Sequence, residues 1–183
     1  MILEASGDVA GALAACDRAL ELDPGRIELR VNRGRLSAIA GDAARGLDDL
    51  DRAIAERPDF ARAYVNRAFV RWRLGDRDGA LGDLDQAVAL DPEYAQARFD
   101  RARVLHQRGE TGRALADLDR GLELDPGKFR ARADRAVVRR ALGDLSGVIA
   151  DLRKALVEAP ADWPERAPVE ALLAEVERQL AGD

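Results

Sequence analysis

Apolar residues in this chain recur at helical spacing, and the same small and large positions return again and again. The stretches Ala61 to Leu74 and Asp78 to Leu90 each read as a helix, with apolar side chains three and four residues apart. Small residues recur at Gly34, Ala68, Ala102 and Ala136 in one set of helices, and at Ala19, Ala53, Ala87, Gly121 and Ala155 in the other. They mark places where two helix backbones approach closely. Larger apolar residues fill the equivalent points between them at Leu50, Leu84, Leu118 and Leu152. The pattern is a packing code for paired helices.

The code has a period of 34 residues, shown most clearly by Pro24, Pro58, Pro92, Pro126 and Pro160 and by Gly7, Gly41, Gly75, Gly109 and Gly143. Each of these glycines precedes an acid, as in Gly41-Asp42, Gly75-Asp76, Gly109-Glu110 and Gly143-Asp144. Such a pair predicts a turn, because glycine takes the positive φ that ends one helix and the acid favours the start of the next. Proline then closes the second helix, since it lacks an amide donor and disfavours helix in the residue before it. The repeating unit is helix, short turn, helix, proline stop.

Composition agrees with an all-α fold and narrows its uses. The chain of 183 residues is 47% hydrophobic and 34% charged, enough apolar material for a core, while aromatics are only 4%. A formal charge of -5 argues against the broad basic surface that nucleic acid requires. The single cysteine, Cys16, excludes an intrachain disulfide. No stretch is apolar for long enough to span a membrane, and Met1-Ile2-Leu3-Glu4 has an acid where a signal peptide would be basic. A cytoplasmic protein is expected.

In period, in small-residue pattern and in the closing Leu-Asp-Pro of Leu22 to Pro24, Leu90 to Pro92 and Leu124 to Pro126, the chain resembles the tetratricopeptide repeat family. The resemblance covers about residues 1–160. It implies a right-handed superhelical solenoid of antiparallel helix hairpins. The family's aromatic near the start of the first helix survives only as Tyr64, with Arg30, Arg98 and Arg132 at the equivalent places.

The expected organisation is a truncated first repeat over 1–26, full repeats over 27–60, 61–94, 95–128 and 129–162, and a capping helix over 163–183. Only Met1 to Ser6 remain for the first helix of the opening repeat. At the other end, Val169, Leu172, Leu173, Val176 and Leu180 share one helical face, as a helix shielding the last apolar surface of the stack should. Pro164 and Pro168 fit its approach and first turn.

Catalytic chemistry has little to work with. The one histidine, His106, is far in sequence from Cys16, so neither a zinc site nor a nucleophile-base pair is indicated, and Ser6, Ser37 and Ser146 have no other candidate base. Cys16 occupies the core position of Leu50 and its equivalents. The acids Asp49, Asp83, Asp117 and Asp151 follow Arg33, Arg67, Arg101 and Arg135 at a constant offset, which predicts one structural ion pair across each hairpin. No cofactor or metal is expected, and the chain is not read as an enzyme.

By the resemblance, first helices line a concave groove. The face of Arg62, Val65, Asn66, Phe69, Trp72 and Arg73 would be joined by Gln96, Phe99, Asp100, Arg103, His106 and Gln107 of the next first helix. Flanking faces carry Glu28, Val31, Asn32, Arg35, Ala38 and Ile39 on one side, and Arg130, Ala133, Asp134, Val137, Arg140 and Ala141 on the other. The series Asn32, Asn66, Asp100, Asp134 resembles the asparagine ladder of O-linked N-acetylglucosamine transferases in two of its four rungs. An amide there can both donate to and accept from a peptide backbone. Solvated polar residues on an open face are the alternative. The two-carboxylate clamp of chaperone-binding co-chaperones does not fit, because where Asn32 and Arg62 would fill two places the third offers Asn66, and one repeat later it offers Asp100.

Along these faces Arg35, Arg62, Arg73, Arg103, Arg130 and Arg140 outnumber Glu28, Asp100 and Asp134, so the groove should be the positive part of an acidic molecule. Ion pairs of Asp100 with Arg103 and of Arg130 with Asp134 would be the ordinary helix-surface alternative. The expected function is a scaffold holding an extended protein or peptide segment with apolar and acidic side chains, anchored on Trp72, Phe69 and Phe99. The expected ligand is neither nucleic acid nor membrane. The alternatives are a self-assembly module acting through the truncated N-terminal repeat, where Leu13, Cys16 and Leu20 would be left partly uncovered, and a non-catalytic accessory domain of a larger protein.

Overall fold

The computed structural model describes residues 8–182. Among them the chain is all helical, with α1 (Val9–Leu22), α2 (Ile27–Ile39), α3 (Ala43–Glu56), α4 (Ala61–Arg73), α5 (Arg77–Leu90), α6 (Ala95–Gln107), α7 (Thr111–Leu124), α8 (Phe129–Ala141), α9 (Leu145–Glu158) and α10 (Arg166–Ala181). Met1 to Ser6, read as the remnant of a truncated first repeat, and the turn at Gly7 lie outside the described residues. Two compact units divide at Pro92 and Glu93. The N-terminal unit packs α1 to α5 in consecutive pairs and sets α2 beside α4; the C-terminal unit does the same with α6 to α10 and sets α6 beside α8.

Each hairpin turn is built from the glycine and the acid together. Gly41, Gly75, Gly109 and Gly143 have φ between 79° and 99°, a region that a Cβ would strain although each has open space around it. In the first of these turns Gly41 N–H donates to Ala38 O, and Asp42 N–H reaches back to Ser37 O at 2.8 Å, closing the end of α2. The Asp42 side chain then accepts from Arg45 N–H at 3.0 Å, capping α3. Asp76 and Asp144 cap α5 and α9 in the same way, and Asp8 caps α1. Glu110, one methylene longer, makes no side-chain cap and pairs with Arg108 and Arg113 instead. At the other end of each hairpin, Asp23, Arg57, Asp91 and Asp125 all precede a proline, and all stop their helices with φ near extended values, from -144° to -131°.

The interior follows the packing code. Leu50, Leu84, Leu118 and Leu152 are at most 2% exposed, each contributing about 1.5–3 kcal/mol of apolar burial. Between the helices of every hairpin the expected ion pair is present as a two-pronged contact: Arg33 with Asp49, Arg67 with Asp83, Arg101 with Asp117 and Arg135 with Asp151, at 2.6–3.0 Å. These aspartates are buried, so the guanidinium fork satisfies carboxylates that water cannot reach. Arg33, Arg67 and Arg135 also reach back one helix, to Asp17, Asp51 and Asp119, and so tie neighbouring hairpins together. The hydrogen bonds to Asp49 and Asp151 push Arg33 and Arg135 above the usual guanidinium range. For Arg67 burial pulls the other way, and its bonds to Asp83 and Asp51 outweigh it.

The arginines standing where the family has an aromatic carry out the same local task. Tyr64 Oη donates to the carbonyl of Pro58 at 3.1 Å; Arg30 Nη2 donates to Pro24 O at 2.5 Å, and Arg132 Nη2 donates to Pro126 O. Each side chain pins the proline turn six residues before it. Arg30 and Arg132 add an ion pair to Glu56 and Glu158 on the following helix.

The C-terminal unit closes on α10. Val169 and Val176 are buried with Ala136, Val148, Leu152, Ala159 and Trp163, and Leu172 and Leu173 pack against that cluster. Leu180, expected on the same face, is 55% exposed because it sits in the last turn of the helix. Trp163 meets Phe129 edge to face at a centroid distance of 5.0 Å, an anchor that the helical pattern did not reveal since Trp163 lies in the loop before Pro164.

Candidate functional site

The face of the N-terminal unit formed by α2 and α4 carries amides, aromatics and cations side by side. Asn32 is exposed and Asn66 half-buried, and among the described residues neither side-chain amide has a partner. Three and six residues beyond Asn66, Phe69 and Trp72 are half-buried, and Phe69 packs on the core of Val31, Ala38 and Val70. Val65 is buried at 6% exposure and serves the core. The Arg35 guanidinium, from α2, lies over the Phe69 ring at 5.3 Å from its centroid, and Arg73 lies over the same ring at 5.7 Å. Arg77, from the first turn of α5, covers Trp72 at 5.5 Å. Arg62 lies over Phe60 at 5.1 Å.

Among the described residues, no carboxylate lies within ion-pairing distance of Arg35, Arg62, Arg73 or Arg77. Glu28, the acid of this face, is held by Arg57 at 2.7 Å. Hydrogen bonding to its own backbone N–H and to Arg57 lowers its pKa, and Arg62 adds a weaker pull through space.

The corresponding face of the C-terminal unit is internally neutralised. Arg103 donates to Asp100 at 2.9 Å and to Asp134 at 2.8 Å, while Gln96 donates to Asp100 from the other side at 2.9 Å. Burial raises the Asp100 pKa, which Arg103 and Gln96 hold down in part. Burial also works against the Arg103 charge, but Asp134 and Asp100 outweigh it and keep the guanidinium above its ordinary value. Arg130 reaches Glu165 at 3.5 Å and Arg140 reaches Glu175 at 2.5 Å, so the capping segment supplies the missing acids.

Beyond Val65, three further expectations change accordingly. Phe99 is 1% exposed and cannot anchor a ligand. It occupies the repeat position of Val31 and Val65, which are buried as well, and Gly121 on α7 makes room for its ring, since a Cβ there would come within 2.3 Å of it. Other repeats pair Val31 with Ala53 and Val65 with Ala87 at these positions, so the exchange of Val with Ala for Phe with Gly was a legible signal. Asp100, Arg103 and Asp134 form one closed cluster, so the last two rungs of the ladder are not free, and Asp134 takes Arg103 from the neighbouring first helix. His106 is half-buried with its Nδ1 enclosed and without a hydrogen-bond partner.

The only cysteine is half-buried, and burial raises the Cys16 thiol pKa, the opposite of what an activated nucleophile needs. On the same helix Leu13 is half-buried and Leu20 buried. Among the described residues, no three His, Cys, Asp or Glu side chains gather where they could hold a metal, and no helix is long and apolar enough to cross a membrane.

Stacked hairpins with buried ion pairs between helices and an aromatic, amide-bearing outer face define the class: a helical-repeat interaction protein. Residues 66–129 match the family model described as Tetratricopeptide repeat, and the hairpins on either side have the same fold. TTC0263, a thermophilic TPR protein of Thermus thermophilus, is 25% identical, with a TM-score of 0.75 over 93% of this chain and 91% of that one. MamA is 23% identical, with a TM-score of 0.69 over 83% and 89%. YrrB, described as a TPR protein with an unusual peptide-binding site, is 24% identical, with a TM-score of 0.63 over 84% and 79%. No curated protein sequence matches the chain.

Proposed function

We propose that this protein is a non-catalytic scaffold that holds an extended segment of another protein on the first-helix face of its N-terminal unit. The supporting observation is the run Asn66, Phe69, Trp72 on α4, where an unpartnered amide stands beside two half-buried aromatics on one face. Asn32 on α2 repeats the amide one hairpin earlier. Amides so placed hold a peptide backbone whatever its sequence, each bond contributing about 1 kcal/mol net. Aromatic side chains with apolar bodies and accessible edges are the usual anchors of an interface. A peptide site on a neighbour of the same fold is consistent with this use by analogy.

The test is affinity capture with the intact chain, followed by titration of the captured partner. Trp72→Ala should cost about 2 kcal/mol or more of binding, and Asn66→Ala about 1 kcal/mol. If both variants bind as tightly as the parent, the ligand sits elsewhere.

A further inference from the structure

Most arginines outside the α2 and α4 face are engaged by a carboxylate, whereas Arg35, Arg73 and Arg77 are instead laid on aromatic rings. A guanidinium drawn over a ring is held there by the ring's negative face, while N–H groups not used in the fold can still meet a carboxylate in two-pronged geometry. We propose that these three arginines, held by Phe69 and Trp72, form a carboxylate-reading patch whose occupant is an acidic polypeptide segment with several Asp or Glu side chains. This rests on the scaffold reading above and names the part of the ligand that the patch selects.

The charge balance favours such an occupant. The chain as a whole is acidic at -5, so the patch is a local positive island, suited to a short run of acids more than to a long polyanion. Nucleic acid would also want bare ring faces for its bases. Here Phe69 has guanidiniums from both α2 and α4 laid over it, and Trp72 has one from α5. The C-terminal unit offers no equivalent, because Arg103, Arg130 and Arg140 already have acids.

The experiment uses the full chain and a fluorescent oligoglutamate peptide, followed by anisotropy at low salt, with oligoglutamine and a single-stranded oligothymidylate as comparators. Oligoglutamate should bind and weaken steeply as salt rises, and oligoglutamine should not bind. Arg35→Gln and Arg73→Gln should each weaken oligoglutamate about tenfold, Arg73→Lys should restore only part of the loss, and Arg140→Gln should change nothing. Because Arg35 and Arg73 hold no carboxylate in the fold and lose only a cation–π contact, these variants should keep the parent circular dichroism and melt within a few degrees of the parent. Undiminished oligoglutamate binding by Arg35→Gln and Arg73→Gln would overturn the proposal, as would oligothymidylate binding equally well through the same arginines. If oligoglutamate fails to bind while Trp72→Ala still weakens a captured protein, the scaffold reading stands and the carboxylate patch falls.

Discussion

The two units are built on the same hairpin frame, but the side chains of their first-helix faces differ in charge pairing. Their buried ion pairs are equivalent, with Arg67 on Asp83 in one and Arg135 on Asp151 in the other. On the outer face, however, the N-terminal unit has Asn32 and Asn66 where the C-terminal unit has Asp100 and Asp134. With aspartate at the rung, Arg103 is neutralised; with asparagine, the neighbouring arginines have only aromatic rings to rest on. The number of arginines lining a face therefore says little about its free charge. What matters is how many acids the same packing brings within reach.

The largest effect should appear where the units are alike. Asp83 and Asp151 are each the acceptor for two arginines, Arg67 with Arg71 and Arg135 with Arg139. Asp83→Ala and Asp151→Ala should each destabilise their own unit by about 3 kcal/mol, because two half-buried guanidiniums lose the buried carboxylate between them, though Arg67 and Arg135 keep Asp51 and Asp119. Hydrogen exchange resolved by helix would measure both losses separately. Markedly unequal losses would mean that the units differ in frame as well as in face.

A smaller effect probes the one place where the cores diverge. Gly121→Ala forces a Cβ against the Phe99 ring and should cost about 1–3 kcal/mol. Adding Phe99→Val recreates the Val65 and Ala87 pairing of the N-terminal unit and should recover most of that loss in a double-mutant cycle of urea unfolding. Simple additivity of the two changes would show that the Phe and Gly exchange is not a matched pair.

The smallest effect concerns pH and has opposite signs in the two units. Burial raises the Asp100 pKa in the folded chain, so its contribution favours folding below the unfolded value and is lost as pH rises through the folded one. Asp100→Asn removes that loss, and its melting temperature relative to the parent should rise from acid to neutral pH. Glu28 in the N-terminal unit is lowered instead, by its backbone hydrogen bond and by Arg57. Its contribution is present above the unfolded value and is lost as pH falls, so Glu28→Gln should lose ground to the parent as pH rises. Thermal melts over an acid-to-neutral series would compare the two slopes.

Much of the fold was legible because it is local and repeated. The glycine and acid of each turn act within a few residues through positive φ and capping, and the proline stops act on the single residue before them. The Arg and Asp pairs were legible as well, since a constant offset across a hairpin of constant length places both groups at the same height. The outer face was less so. Phe99 stands at the repeat position of Val31 and Val65, which packing also buries, and the missing Cβ at Gly121 gives its larger ring room there. Trp163 lies in a loop, where periodicity carries no signal.

By itself, then, the sequence determined the helices, their turns and the buried pairs within each hairpin, because these depend on backbone preferences and short fixed separations. Only the tertiary structure decided which arginines remain free. Arg140 finds its acid on α10, thirty-five residues away, whereas Arg35 finds a phenyl ring from α4 and no acid among the described residues. Charge pairing between helices depends on which side chains packing brings within a few ångströms, and the order of residues along one helix does not contain that distance.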